Sequence, residues 1–149
     1  MEIYRLIKKG SEKLKKNKIS SYQLDTEILM SKVLNKKREY LISNQKEKLD
    51  FSKKKYFKKL IFERSMGKPL SYLTGKKAFW KYEFFVNKQA LIPRPDTELI
   101  VEKVLNCSKK KTKLNILEIG VGSGCILLSI LKERKDFYGV GIDISKGCI

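Results

Sequence analysis

Asn115-Ile-Leu-Glu-Ile-Gly-Val-Gly-Ser-Gly-Cys125 decides how the rest of this 149-residue chain is read. Leu114, Ile116, Leu117 and Ile119 form a short apolar run with Glu118 near its end. The run is too brief for a helix and has the character of a buried strand. Gly120, Gly122 and Gly124 follow at alternate positions, and Ile126-Leu-Leu-Ser-Ile-Leu131 resumes apolar character at helical length. Tyr138-Gly-Val-Gly-Ile142 then gives a second strand-like run, ending on Asp143. Strand, glycine turn, helix and strand make the start of a parallel α/β fold.

The glycines let a chain leaving a strand turn with φ > 0 and bring its backbone against a ligand. Asp143 stands 23 residues after Gly120. In nucleotide folds an acid at about 20 residues from the loop accepts hydrogen bonds from ribose hydroxyls. The two features predict an adenosine-type ligand across the carboxyl ends of two parallel strands. A dinucleotide fingerprint would place its third glycine at position 125, which is Cys125. Glu118, two residues before the first glycine, would face the ligand, and its carboxylate suits a cationic group better than a pyrophosphate. S-adenosylmethionine, with a sulfonium and an ammonium and no phosphate, meets that requirement. A dinucleotide-binding oxidoreductase is correspondingly disfavoured.

Upstream, the pattern changes twice. Ile3, Leu6, Ile7 and Leu14 recur at helical spacing within residues 2–17. Ser20 or Ser21 can cap a second helix carrying Leu24, Ile28, Leu29 and Val33 on one face. A short helix near residues 37–42 and a fourth, capped by Ser52 and burying Tyr56, Leu60 and Phe62, complete a small bundle that Gly67 and Pro69 end. Ala78-Phe-Trp-Lys-Tyr-Glu-Phe-Phe-Val86 reads as a strand or hairpin. Pro93 and Pro95 then fix a rigid turn, and Asp96 or Thr97 can cap a helix carrying Leu99, Ile100, Val104 and Leu105. The predicted organisation is a helical domain over 1–70, a hairpin linker over 71–92 and an α/β part over 93–149.

Composition narrows the function classes. The net charge is +18, with 20 Lys/Arg against 8 Asp/Glu in residues 1–69 and 14 against 8 in the remainder. This balance admits weak contact with RNA or the ribosome, although a lysine-biased composition would produce it too. There is no histidine, and Cys107, Cys125 and Cys148 lie far apart. That disfavours a metal site or a disulfide framework and predicts reduced thiols in the cytoplasm. No apolar run approaches a membrane span.

Four segments occur in order: Gly67-Lys-Pro-Leu-Ser-Tyr-Leu-Thr-Gly75, Leu91-Ile-Pro-Arg-Pro-Asp-Thr-Glu98, Leu117-Glu-Ile-Gly-Val-Gly-Ser-Gly-Cys125 and Ile142-Asp-Ile-Ser145. Together they resemble the HemK family, methyltransferases that modify a glutamine of peptide chain release factors. The resemblance implies a helical recognition domain, a hairpin linker and a class I (Rossmann-like) S-adenosylmethionine domain. Carried over by position, Gly120, Val121, Gly122, Ser123 and Gly124 line the cofactor and Asp143 holds its ribose. Glu118, Val121 and Asp96 stand where the family commonly has aspartate, threonine and glutamate.

The resemblance also implies an Asn-Pro-Pro-Tyr tetrad that orients the acceptor amide. The prolines are Pro69, Pro93 and Pro95, so this sequence does not contain it, and no catalytic residue is assigned. The expectation is an N-terminal piece of such an enzyme whose two-stranded sheet leaves one face and one edge uncovered. Alternatives are an adenine-specific nucleic-acid methyltransferase and an inert basic binding module.

Overall fold

The computed structural model describes residues 1–148 and divides into two compact units, Met1–Thr74 and the segment from Gly75 onward. The first holds helices α1 (Ile3–Lys16), α2 (Tyr22–Leu34), α3 (Arg38–Ser43), α4 (Phe51–Ser65) and α5 (Leu70–Thr74). Ile3, Leu6 and Leu14 of α1, Leu29 and Met30 of α2, and Phe57, Leu60 and Ile61 of α4 share one core. The backbone of the 44–49 loop closes on the start of α1, where Ile3 N donates to Glu47 O at 2.9 Å.

Two helix faces differ from those expected. On α2 the buried residues are Asp25, Thr26, Leu29 and Met30, while Leu24 is 43% exposed. The reason is Arg64, whose Nε donates to Asp25 Oδ2 at 2.7 Å and gives that carboxylate a reason to be inside. On α4, Phe57 and Ile61 are buried, and Tyr56 and Phe62 face outward. Its cap is also two residues earlier than Ser52: Asp50 Oδ1 accepts from Lys53 N at 2.8 Å. A carboxylate there satisfies an orphan N–H and faces the positive end of the helix. Neither Ser21 nor Thr97 makes a side-chain cap bond.

The second unit opens with an antiparallel hairpin, β1 (Lys76–Phe79) and β2 (Tyr82–Phe85), in which Phe79 pairs with Tyr82 and Lys76 with Phe85. Phe79 and Phe84 meet edge to face, ring centroids 6.1 Å apart. A 3₁₀ turn at Pro95–Thr97 leads into α6 (Glu98–Cys107), whose Val101 is buried while Leu99 and Ile100 are exposed. β3 (Asn115–Ile119) and β4 (Tyr138–Ile142) then pair in parallel, Asn115 opposite Tyr138 and Ile119 opposite Ile142, with α7 (Cys125–Glu133) between them in sequence.

Helix α7 covers one side of this pair. A Cβ on Gly139 would lie 2.7 Å from Leu127 Cδ1, so the strand approaches the helix at a distance that requires glycine. The other side is open. Leu117, Ile119, Tyr138, Val140 and Ile142 are each between 46% and 77% exposed. Among the described residues, no further strand pairs with the outer edge of β3 or of β4.

Glu133 at the end of α7 fixes the hairpin. Trp80 Nε1 and Tyr82 Oη each donate to Glu133 Oε1 at 3.1 Å, and Lys81 Nζ to Oε2 at 2.9 Å. Lys81 above all holds the Glu133 carboxyl below its usual range. Trp80 sits at φ +55, a conformation costly for a large side chain, and its backbone N–H donates to Glu98 Oε1 at 2.9 Å.

Candidate functional site

The turn between β3 and α7 is built from its backbone outward. Gly120, Gly122 and Gly124 all adopt positive φ (+76, +53 and +73), which a side chain would resist. Gly120 N and Val121 N both donate to Ile142 O, at 2.8 and 3.0 Å, so the loop begins by folding across the tip of β4. Asp143 completes that connection. Its Oδ2 accepts from Gly122 N and its Oδ1 from Ser145 N, both at 2.8 Å. These backbone donors, Ser145 first, hold the Asp143 carboxyl below the usual carboxylate range. The structure thus brings Gly120, Val121, Gly122, Ser123, Gly124 and Asp143 to one place, at the carboxyl ends of two parallel strands.

Glu118 behaves otherwise than the sequence suggested. Instead of facing a ligand, its carboxylate turns under the loop, where Oε2 accepts from Leu127 N at 3.0 Å. The physical reason lies at Gly124, the N-cap of α7, which has no side chain to satisfy the first-turn N–H groups. Glu118 supplies the missing acceptor from the preceding strand. The sequence signal was faint, because Ser123 stands beside Gly124 as an apparent cap, while the acid that does the capping is left over from the strand.

Burial raises the Glu118 carboxyl above its ordinary value, opposed by the Leu127 N–H. A carboxyl raised by folding binds its proton more tightly in the folded state, so its contribution to stability falls as pH rises from the unfolded value through the folded one. Glu118→Gln keeps an acceptor for Leu127 and removes the charge. The variant should gain stability relative to the parent as pH rises from about 4 to about 7. Amide exchange of α7 in both proteins checks this; a difference that stays flat, or changes in the opposite direction, contradicts the assignment.

A hollow of about 540 Å³ adjoins the loop, lined among others by Gly122, Ser123, Leu128, Tyr82, Phe84 and Cys148. Tyr82 and Phe84 come from the hairpin, which the sequence offered as a linker; their aromatic density was the clue to a second role. Cys125, at the position of a dinucleotide fingerprint's third glycine, is buried, and burial pushes its thiol pKa up. Among the described residues, no cluster of His, Cys, Asp or Glu could hold a metal ion. No helix there is long and apolar enough to cross a membrane.

Fold and site define an N-terminal helical unit followed by part of a Rossmann-like α/β unit, with a glycine loop and an acidic strand tip side by side at the carboxyl ends of its two strands. Comparison with known proteins is specific. Residues 5–75 match the family described as the PrmC N-terminal domain. The chain is 45% identical over 145 residues to a release factor glutamine methyltransferase of Leptospira interrogans, covering 97% of this chain and 51% of that protein. It is 42% identical over 149 residues to the same enzyme of Buchnera aphidicola subsp. Baizongia pistaciae, covering 100% of this chain and 53% of that protein. A bifunctional methyltransferase of Rickettsia conorii is 37% identical over 171 residues, covering 99% and 33%. The chain is thus similar over nearly its whole length to release factor glutamine methyltransferases, and spans about half the length of the enzymes it matches.

Proposed function

We propose that this chain forms the substrate-recognition and cofactor-holding first part of an S-adenosylmethionine-dependent methyltransferase. Its acceptor would be the side-chain amide of glutamine in the Gly-Gly-Gln motif of release factors. The observation that carries the reading is the Asp143 carboxylate, ionised and aimed by two backbone N–H groups beside the Gly120–Gly124 turn.

The residues present fit the cofactor on chemistry. Each Asp143 oxygen accepts one backbone N–H and retains lone pairs for ribose hydroxyls. An added Cβ on Gly120 would meet nothing within 4 Å, so that glycine serves an exposed backbone turn rather than internal packing. No Lys or Arg lies in the loop to receive a pyrophosphate. When bound, the cofactor supplies a methyl group on a positively charged sulfur as the electrophile. Val121 and Ser123 shape the turn beside it, and Tyr82 and Phe84 wall the adjoining hollow.

Orienting a glutamine amide calls for acceptors on its N–H groups. No residue of this chain is assigned that task, and catalysis by these 149 residues does not follow from the site. Titration calorimetry with S-adenosylmethionine tests the reading. Binding should be weak but measurable, and Asp143→Ala should lower it by about tenfold or more. Asp143→Asn, which keeps one acceptor, should fall between. An isotherm indifferent to both substitutions, or absent from the parent chain, would leave an inert basic module as the better description.

A further inference from the structure

Charge is concentrated on two of the helices. α1 carries six Lys/Arg and one acid, Glu12; α4 carries six and one acid, Glu63. By contrast, α2 sets Lys32 against Asp25 and Glu27, α6 sets Lys103 against Glu98 and Glu102, and α7 sets Lys132 against Glu133. A lysine-biased composition would load all of them alike. It does not explain why the two cationic helices are neighbours in one unit, packed on a shared core.

The outer face of α4 is ordered as well as charged. Positions 51, 55, 58, 62 and 66 share one side at helical spacing, and they are Phe51, Lys55, Lys58, Phe62 and Met66, all exposed. Phe51 is 80% exposed and Phe62 54%, values far from a core role. Lys13 of α1 reaches across the seam between the helices, its Nζ 4.7 Å from the Phe62 ring centroid. Of the nearby acids, Glu2 pairs with Arg5, Asp50 with Lys53, and Glu63 with Lys59 and Lys68, which leaves Glu12 as the one acid of α1 set against its six cations. Among the described residues, Lys8, Lys9, Lys55 and Lys58 have no ion-pair partner within 4.0 Å.

We propose that the joint surface of α1 and α4 binds single-stranded RNA, with lysines on the phosphates and bases stacked on Phe51 and Phe62. Exposed rings separated by cations are what a base-stacking, backbone-tracking surface requires. The two rings are eleven residues apart, about 16 Å along the axis, which leaves room for intervening nucleotides. An acidic protein helix would instead favour a continuous apolar stripe. Here Lys55 and Lys58 interrupt it. The inference is independent of the methyltransferase reading, and either can fail alone.

The test uses the whole chain and a fluorescein-labelled oligouridylate of about 12 nucleotides, titrated across salt concentrations. Lys55→Glu with Lys58→Glu should weaken binding at least about tenfold and reduce the log–log salt slope by about 1.4. Phe51→Leu with Phe62→Leu keeps apolar area but removes the aromatic faces; it should cost about fivefold or more and leave the slope unchanged. Lys109→Glu with Lys110→Glu, in the second unit, should change little. The proposal is overturned if the leucine variant binds like the parent, or if the Lys109 and Lys110 variant loses as much as the α4 variant. Poly-glutamate competing as well as oligouridylate at equal charge would also overturn it, and would favour an acidic protein partner.

Discussion

Asp25→Ala should cost the helical unit about 3–5 kcal/mol, enough to unfold much of it, because it leaves a guanidinium without its counter-ion inside the bundle. Asp25 and Arg64 side chains are 4% and 16% exposed, and Arg64 Nη1 also donates to Lys68 O at 3.2 Å. The residue therefore links α2, the end of α4 and the turn that follows. Asp25→Asn keeps an acceptor and should lose less. Asp25→Ala combined with Arg64→Met should recover much of the loss, since a removed pair leaves no buried charge. Urea unfolding followed by far-ultraviolet circular dichroism measures all three. Should the single alanine variant lose less than about 1 kcal/mol, the pair behaves as an exposed one, and its place in the core is incidental.

The second large effect is expected in solution behaviour. Parallel strands of this apolar type are ordinarily covered on both faces, yet Leu117, Ile119, Tyr138, Val140 and Ile142 present one face to solvent. Both outer strand edges are unpaired among the described residues, which adds a template for association. The chain should associate with rising concentration in light scattering. Its amides over 114–143 should exchange faster than those in the cores of α1 and α4. Leu117 and Val140 are cross-strand partners. Leu117→Glu with Val140→Lys should therefore retain a favourable pair while removing most of the association. A parent chain that stays monomeric, with strong protection of β3 and β4, would contradict this expectation.

How much of this was legible beforehand differs between the units, for a physical reason. The limits of β3 and β4 could be read from residues 114–119 and 138–142 because glycines and apolar runs there act locally. The bundle's first four helices were also legible, but α5, which follows the Pro69 read as the bundle's end and buries Leu73, was not, nor was the facing of α2 and α4. The orientation of α2 depends on Asp25 being satisfied by Arg64, 39 residues later, a pairing that no local periodicity encodes. On α4, an aromatic residue reads as core wherever it falls, so Tyr56 and Phe62 were exchanged for their neighbours Phe57 and Ile61. At the loop, the sequence drew attention to the glycines and Asp143 together. It misassigned Glu118 because an acid beside a ligand loop and an acid capping the next helix look the same until the carboxylate is placed. The hairpin's aromatic density hinted at a role beyond linking, but its place beside the hollow depends on three donors converging on Glu133, which no local pattern encodes.

That convergence has a practical corollary. Trp80 is the one tryptophan in the sequence, and its indole nitrogen rests on the Glu133 carboxylate. Selective excitation of indole fluorescence would therefore watch the hairpin leave α7 while remaining blind to the bundle, and so would time the melting of the second unit alone.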